Sequence, residues 1–173
     1  MQSFQILVVE DFEPFLQFIC SILRQKDGFQ LVEASDGLEA IEKAEQLQPD
    51  LILLDVGLPK LNGIQVAKRL RHLAPRTQIL FLSVESSPDV VQEALNSGAA
   101  GYINKLNIEK ELFPTIETVL RGDRFVGEHP KGEFSKVTTG QPVVRVSKKQ
   151  ISVGEGWKFF RQHLLRTLRR SRR

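Results

Sequence analysis

Five residues with charged or reactive side chains stand at the ends of four apolar runs. They are Glu10, Asp11, Asp55, Ser83 and Lys105. If the runs are parallel strands of one sheet, their carboxyl ends meet at one edge, where open α/β sheets bind ligands. That edge would combine three carboxylates, a hydroxyl and an ammonium group. Because Mg²⁺ prefers oxygen ligands and often works between carboxylates and a phosphate, the set predicts a magnesium site beside a phosphoryl group.

The chemistry that suits this set is phosphoryl transfer. A carboxylate beside bound Mg²⁺ can attack a phosphoryl donor and become an acyl phosphate. The metal and Lys105 would offset the charge of the transferring group, while Ser83 would donate a hydrogen bond to one of its oxygens. Catalysis of this kind consists mainly of positioning and electrostatic stabilisation. Mg²⁺ is therefore the expected cofactor.

Nucleotide-binding loops are the other common feature of this edge, and the sequence argues against them. The turn after the first run, residues 10–14, contains no glycine, and its acids would repel a pyrophosphate. No Gly-x-Gly-x-x-Gly occurs. Gly127 and Gly132 have P-loop spacing, but Glu133 stands where lysine is required.

Strand and helix signals alternate along the body of the chain. Helix starts are marked by Asp36 as a cap and by Pro88 at a first helical position, and Gly98 suits a left-handed stop. Five strand–helix repeats with short connections predict an α/β fold, a doubly wound five-stranded parallel sheet with five helices on its two faces. Expected strands are 4–9, 29–33, 51–54, 77–82 and 100–103; expected helices are 13–26, 36–47, 63–73, 88–97 and 108–121.

Charge divides the 173 residues into an acidic body and a basic C-terminal extension. Residues 1–127 carry a net −6 and residues 128–173 a net +9. We expect one domain at 1–126, a linker or loosely ordered segment at 127–156 with a short strand at 142–146, and a basic amphipathic tail at 157–173. The single Cys20 is expected in the core, and no leader or membrane-length apolar run is present, so a soluble cytoplasmic protein is expected.

Residues 4–122 resemble the receiver domains of bacterial two-component response regulators. The acidic pair Glu10-Asp11, the segment 55–59 with its Asp, Gly and Pro, and Gly63 keep the family's spacing. Ser83, Tyr102 and Lys105 fall on its hydroxyl, aromatic and lysine positions. The family often has proline in a cis peptide after this lysine, whereas this chain has Leu106. Residues 98–102 and 125–126 look most like receivers of the LuxR-type regulators, yet no helix-turn-helix output domain is recognisable.

The resemblance implies a role for each site residue. Asp55 would be the phosphoacceptor, and the metal ligands would be Glu10, Asp11, Asp55 and the backbone carbonyl of Gly57. Lys105 and Ser83 would assist phosphoryl transfer. Ser83 and Tyr102 would form a switch in which Ser83 moves toward the phosphoryl group and Tyr102 enters from outside. The implied strand order is the flavodoxin-like 2-1-3-4-5.

The function expected from these roles is a phosphorylation-dependent signalling switch in a two-component phosphorelay. Phosphoryl would come from a sensor histidine kinase or a phosphotransfer protein, and the signal would leave through an unknown downstream protein partner. A homodimer through the 88–121 face is also expected. The protein would not turn over an external substrate. A haloacid-dehalogenase-type hydrolase needs a second Asp two residues after the nucleophile, where this chain has Gly57.

Two alternatives stay open from the sequence, a DNA-binding transcriptional regulator that uses the basic tail and a non-phosphorylated scaffold receiver. The tail repeats apolar residues at helical spacing among seven Lys and Arg between 158 and 173. It would suit an anionic membrane, a nucleic acid or protein partner, or a solvated end without function.

Overall fold

The computed structural model describes residues 3–126 and Gln162. The expected linker at 127–156, the expected strand at 142–146 and, apart from Gln162, the expected tail at 157–173 lie outside the described residues. The strands are β1 (Phe4–Val9), β2 (Phe29–Ala34), β3 (Leu51–Leu54), β4 (Gln78–Ser83), β5 (Gly101–Asn104) and β6 (Phe125–Val126). The α-helices are α1 (Glu13–Leu23), α2 (Gly37–Leu47), α3 (Gly63–Leu73), α4 (Pro88–Asn96) and α5 (Ile108–Leu120), with a 3₁₀ turn at Lys105–Asn107.

The strands form one parallel sheet in the order β2-β1-β3-β4-β5-β6. The expected order 2-1-3-4-5 is confirmed, and the two-residue β6 extends the sheet beyond β5. The amide of Phe125 donates to the carbonyl of Ala100 at 2.9 Å. This strand is not among the expected ones, because two residues are too few to show a hydrophobic period.

Helices cover both faces of the sheet and create two apolar cores. Successive residues of β1 point to opposite faces, so Ile6 and Val8 pack with α1 and α5, and Leu7 and Val9 pack with α2 and α3. The four residues of β3 are all buried, which explains their uninterrupted Leu and Ile composition. Cys20 lies in the first core with no exposed surface, as predicted.

Local signals set the helix boundaries near the site. The carboxylate of Asp36 accepts the backbone N–H groups of Leu38 and Glu39 and so caps α2. Gly98 has a φ of 98° and ends the α4 segment, as predicted. The first helix ends at Leu23, short of the expected residue 26, because the chain turns there toward Gly28, whose φ is 92°.

No helix of residues 3–126 is long and apolar enough to cross a bilayer.

Candidate functional site

Strand register brings the predicted site residues to one edge of the sheet. Val9 lies opposite Leu54, and Leu54 lies opposite Phe81, so the residues after β1 and β3 emerge side by side. The backbone N–H of Asp55 donates to the carbonyl of Val9 at 3.1 Å, which continues the ladder past the end of β3. The carboxyl edge therefore carries acids from two neighbouring strands.

Three carboxylates form a cluster at this edge. One oxygen from each of Glu10, Asp11 and Asp55 lies within 4.8 Å of the others. Glu10 is 4% exposed and Asp55 is 8% exposed, whereas Asp11 faces solvent. Hard oxygen donors at this spacing, open to solvent on one side, fit a divalent cation that keeps part of its water shell.

Lys105 reaches into the cluster from the end of β5. Its ammonium lies 2.6 Å from a carboxylate oxygen of Glu10 and 3.3 Å from one of Asp55. The same ammonium stands 4.6 Å from the centre of the Phe15 ring, on α1, and the lysine is 5% exposed. A buried ammonium needs paired charge, and the two carboxylates provide it. The structure thus joins Lys105 to the acids, as the sequence predicts.

Burial decides the protonation behaviour of Glu10. Loss of solvent raises the pKa of Glu10 to about 7, and the negative charge of Asp55 adds to that rise. The ammonium of Lys105 acts in the opposite direction, as do hydrogen bonds from Lys105 and from the backbone N–H of Phe12. Burial therefore opposes the charged form of Glu10, and the Lys105 ammonium favours it.

Ser83 and Tyr102 are in contact, but the aromatic residue is not where the sequence analysis placed it. Tyr102 has no exposed surface, and its hydroxyl donates to the backbone carbonyl of Glu85 at 2.7 Å. The expectation that Tyr102 lies outside and enters after phosphorylation is corrected: it is already inside. Burial raises the pKa of Tyr102 to about 12, while a hydrogen bond to Ser83 acts in the opposite direction.

The β4–α4 loop links this pair to the start of α4. The Ser83 hydroxyl oxygen accepts the backbone N–H of Glu85 at 3.2 Å. The carboxylate of Glu85 in turn accepts the N–H groups of Ser86 and Ser87, each at 2.8 Å. It therefore lies at the start of α4, where backbone N–H groups need acceptors. Glu85 is not among the predicted site residues, because a solvent-exposed acid in a loop carries no distinguishing pattern.

The loop after Asp55 contains Gly57, whose carbonyl is the fourth predicted metal ligand. A methyl group added at Gly57 would lie 3.5 Å from a carboxylate oxygen of Asp55, which places this residue beside the cluster. The role of its carbonyl stays a prediction. The loop is also tied to the β2–α2 connection, because Lys60 contacts the capping carboxylate of Asp36 at 2.6 Å. The hydrogen bond from the Lys60 ammonium lowers the pKa of Asp36 most, and the hydrogen bond from the backbone N–H of Glu39 lowers it further.

Comparison with known proteins shows the family of the chain. The sequence profile of the response regulator receiver domain matches residues 6–117, so the chain belongs to that family. The transcriptional regulatory protein DegU of Brevibacillus brevis is 31% identical over 149 residues, which are 86% of this chain and 62% of that protein. The alkaline phosphatase synthesis transcriptional regulatory protein PhoP of Bacillus subtilis is 38% identical over 117 residues, 68% of this chain and 48% of that protein.

Two solved structures of response regulator domains are also similar to this chain. The response regulator domain of Thermotoga maritima CheB is 31% identical, with a TM-score of 0.61, and the match covers 70% of this chain and 96% of that domain. The receiver domain of the Francisella response regulator 1452 is 29% identical, with a TM-score of 0.64 over 69% of this chain and 98% of that one. The chain spans about half to three fifths of the length of the curated relatives DegU and PhoP.

Proposed function

We propose that the protein is a signalling switch that accepts a phosphoryl group on Asp55 from a sensor histidine kinase or a phosphotransfer protein. The observation that carries this proposal is the meeting of Lys105 with two buried carboxylates at the carboxyl edge of the sheet. Membership in the receiver family supports the same chemistry. The protein would serve as the site of modification and would not turn over an external substrate.

The charge of each site residue would determine its role in phosphoryl transfer. Glu10, Asp11, Asp55 and the carbonyl of Gly57 would hold Mg²⁺, which when bound lowers the charge repulsion between the acids and the incoming phosphoryl group. Asp55 would attack phosphorus with a carboxylate oxygen, the bond from phosphorus to the donor nitrogen or oxygen would break, and the donor would leave with that bond's electrons. Lys105 would stabilise the charge on the phosphoryl oxygens, and the Ser83 hydroxyl would donate to one of them.

Output would pass through the face of α4, β5 and α5, which adjoins the site and where β6 pairs with the outer edge of β5 at Gly101 and Tyr102. A phosphoryl group adds about −1.5 to −2 charge units and three acceptor oxygens. Turning the Ser83 hydroxyl toward it would break its bond with the N–H of Glu85 and loosen the loop that holds Tyr102. We expect this surface to change its affinity for a downstream protein or for a second copy of the chain.

Labelling with a small phosphodonor tests the proposal. With Mg²⁺ and acetyl phosphate, the protein should gain one acid-stable, base-labile phosphoryl group, which reductive peptide mapping should locate at Asp55. Chelation of divalent cations should prevent the modification, because the acids would then repel the donor. Modification of a hydroxyl residue, or none in the presence of Mg²⁺, would exclude the proposed chemistry.

Metal dependence of stability should change with pH, because the pKa of Glu10 is raised to about 7. A raised pKa means that its contribution to folding is complete below the unfolded value near 4.5 and is lost as pH rises through 7. Without divalent cation, the melting temperature should therefore fall over this range, and Mg²⁺ should raise it more at pH 8 than at pH 6. Thermal unfolding at pH 6 and pH 8, with and without Mg²⁺, measures these melting temperatures.

The matched control for that experiment is Glu10→Gln, which keeps the size of the side chain but cannot titrate. Its melting temperature should vary less than that of the wild type between pH 5 and 8. An equal Mg²⁺-induced rise at both pH values in the wild type would show that proton loss from Glu10 is not linked to metal binding.

A further inference from the structure

Asn104 is a buried polar residue next to the site, and neither the resemblance nor the proposed function gives it a role. It is the last residue of β5, lies opposite Ser83 in the sheet and directly precedes Lys105. Only 8% of its surface is exposed. An amide at such a position needs a hydrogen-bond partner to offset its burial. Its partner is Leu106, the residue that follows Lys105 in the chain.

The side-chain oxygen of Asn104 accepts the backbone N–H of Leu106 at 2.8 Å. This bond caps the 3₁₀ turn at Lys105–Asn107 and satisfies one of the donors that a helix start leaves free. Because the bond runs from residue 104 to residue 106, it closes a small ring of atoms that contains the backbone of Lys105. Leu106 has an N–H to donate, which a proline at this position would not have.

Lys105 needs a fixed backbone more than most lysines do. Its side chain has four rotatable bonds, yet its ammonium must stay near two carboxylates and the Phe15 ring at the distances given above. A shift of the backbone at the end of β5 would move the ammonium by a similar amount, and a displacement of about 1 Å is costly in a preorganised site. The ion pairs of the ammonium do not fix the direction in which the backbone leaves β5.

We propose that Asn104 is a positioning residue for Lys105, acting through its hydrogen bond to Leu106. The role deepens the proposed function and rests on it where phosphoryl transfer is concerned. The position of the ammonium is a separate property that does not depend on that function. Two measurements therefore test the inference, one of the position of the Lys105 ammonium and one of the rate of phosphoryl transfer.

The first measurement is modification of lysine side chains by a limiting amount of acetic anhydride, analysed by peptide mass spectrometry. Lys105 is buried in its ion pairs and should react slowly, whereas the exposed Lys110 provides an internal reference. Asn104→Ala should increase the modification of Lys105 relative to Lys110 several-fold. Asn104→Ser retains a capping oxygen without added charge and should restore most of the protection. Unchanged protection of Lys105 in Asn104→Ala would overturn the inference.

The second measurement is the rate of phosphorylation by acetyl phosphate at saturating Mg²⁺. Asn104→Ala should slow it about fivefold, as expected for the loss of one capping bond in the transition state. The same change in a Lys105→Met background should have almost no effect, because the residue through which Asn104 acts is gone. An equal loss in both backgrounds would show that Asn104 does not act through Lys105. A wild-type protein that is not phosphorylated would refute the proposed function, and lysine protection would still decide the placement of Lys105.

Discussion

Changing Asp55 to asparagine is expected to abolish phosphoryl incorporation from acetyl phosphate and from any phosphorylated histidine donor. The amide keeps the shape of the carboxylate and an oxygen that can face Lys105, which lies 3.3 Å from Asp55 in the wild type. It lacks the negative charge and the nucleophilic oxygen that form the acyl phosphate. The expected change in rate is thus a complete loss within the limits of the assay.

The folded structure should survive this change. In the variant the Lys105 ammonium keeps Glu10 as its charged partner at 2.6 Å, and loss of one of the three clustered acid charges reduces their repulsion. The charge of Asp55 also raises the pKa of Glu10, and that pKa should fall in the variant. We expect the melting temperature without metal to equal or exceed that of the wild type, and the rise caused by Mg²⁺ to be smaller.

The appropriate control is Asp27→Asn, which makes the same chemical change at an exposed loop position. It should be phosphorylated at the wild-type rate. Phosphoryl incorporation into Asp55→Asn at the level of this control would show that the acceptor is another residue. A melting temperature several degrees below that of the control would instead show that the carboxylate of Asp55 supports the fold.

The acids of the site could be predicted because their positions follow from the pattern of the strands. β1 and β3 are buried on both faces, so each appears in the sequence as an apolar run with a clear end. Glu10 and Asp55 directly follow those ends. Parallel topology then places them together without any knowledge of side-chain packing. Lys105 follows β5 and was predicted by the same argument.

Features that depend on side-chain direction could not be predicted in this way. The inward position of Tyr102 depends on a carbonyl seventeen residues earlier, at Glu85, and on the space beside Phe81. The sequence predicts that Tyr102 lies on a strand, but not which way its ring turns at the strand end. The same holds for Asn104, whose role depends on the turn at Lys105–Asn107, a feature with no hydrophobic period.

Changing Gly63 to alanine is expected to destabilise the fold by about 3 kcal/mol, because the added methyl group would overpack a rigid contact. Its carbon would lie 2.0 Å from the carbonyl oxygen of Asp55 and 2.9 Å from the carbonyl carbon. Both atoms belong to the backbone, so no side chain can turn away to make room. The N–H of Gly63 also donates to the carbonyl of Val56 at 3.0 Å, which holds the helix start against the loop.

Relief of this overlap would have to move either α3 or the peptide after Asp55. Movement of that peptide would displace the Asp55 carboxylate relative to Lys105 and the neighbouring acids. We therefore expect the folded fraction of Gly63→Ala to be phosphorylated more slowly than the wild type, in addition to being less stable. Urea unfolding gives the loss of stability, and labelling with acetyl phosphate under conditions where the variant is folded gives the rate.

Gly122→Ala separates this contact effect from the conformational preference of glycine. Gly122 has a φ of 90°, but an added methyl group would meet no atom within 4 Å. Its cost should be only the backbone strain of a left-handed alanine, about 1 kcal/mol, with no change in the rate of phosphorylation. Gly63 has no such strained φ, so its larger cost must come from the close approach to Asp55. Equal unfolding midpoints for Gly63→Ala and the wild type would mean that the chain accommodates the methyl group and that this approach does not hold Asp55 in place.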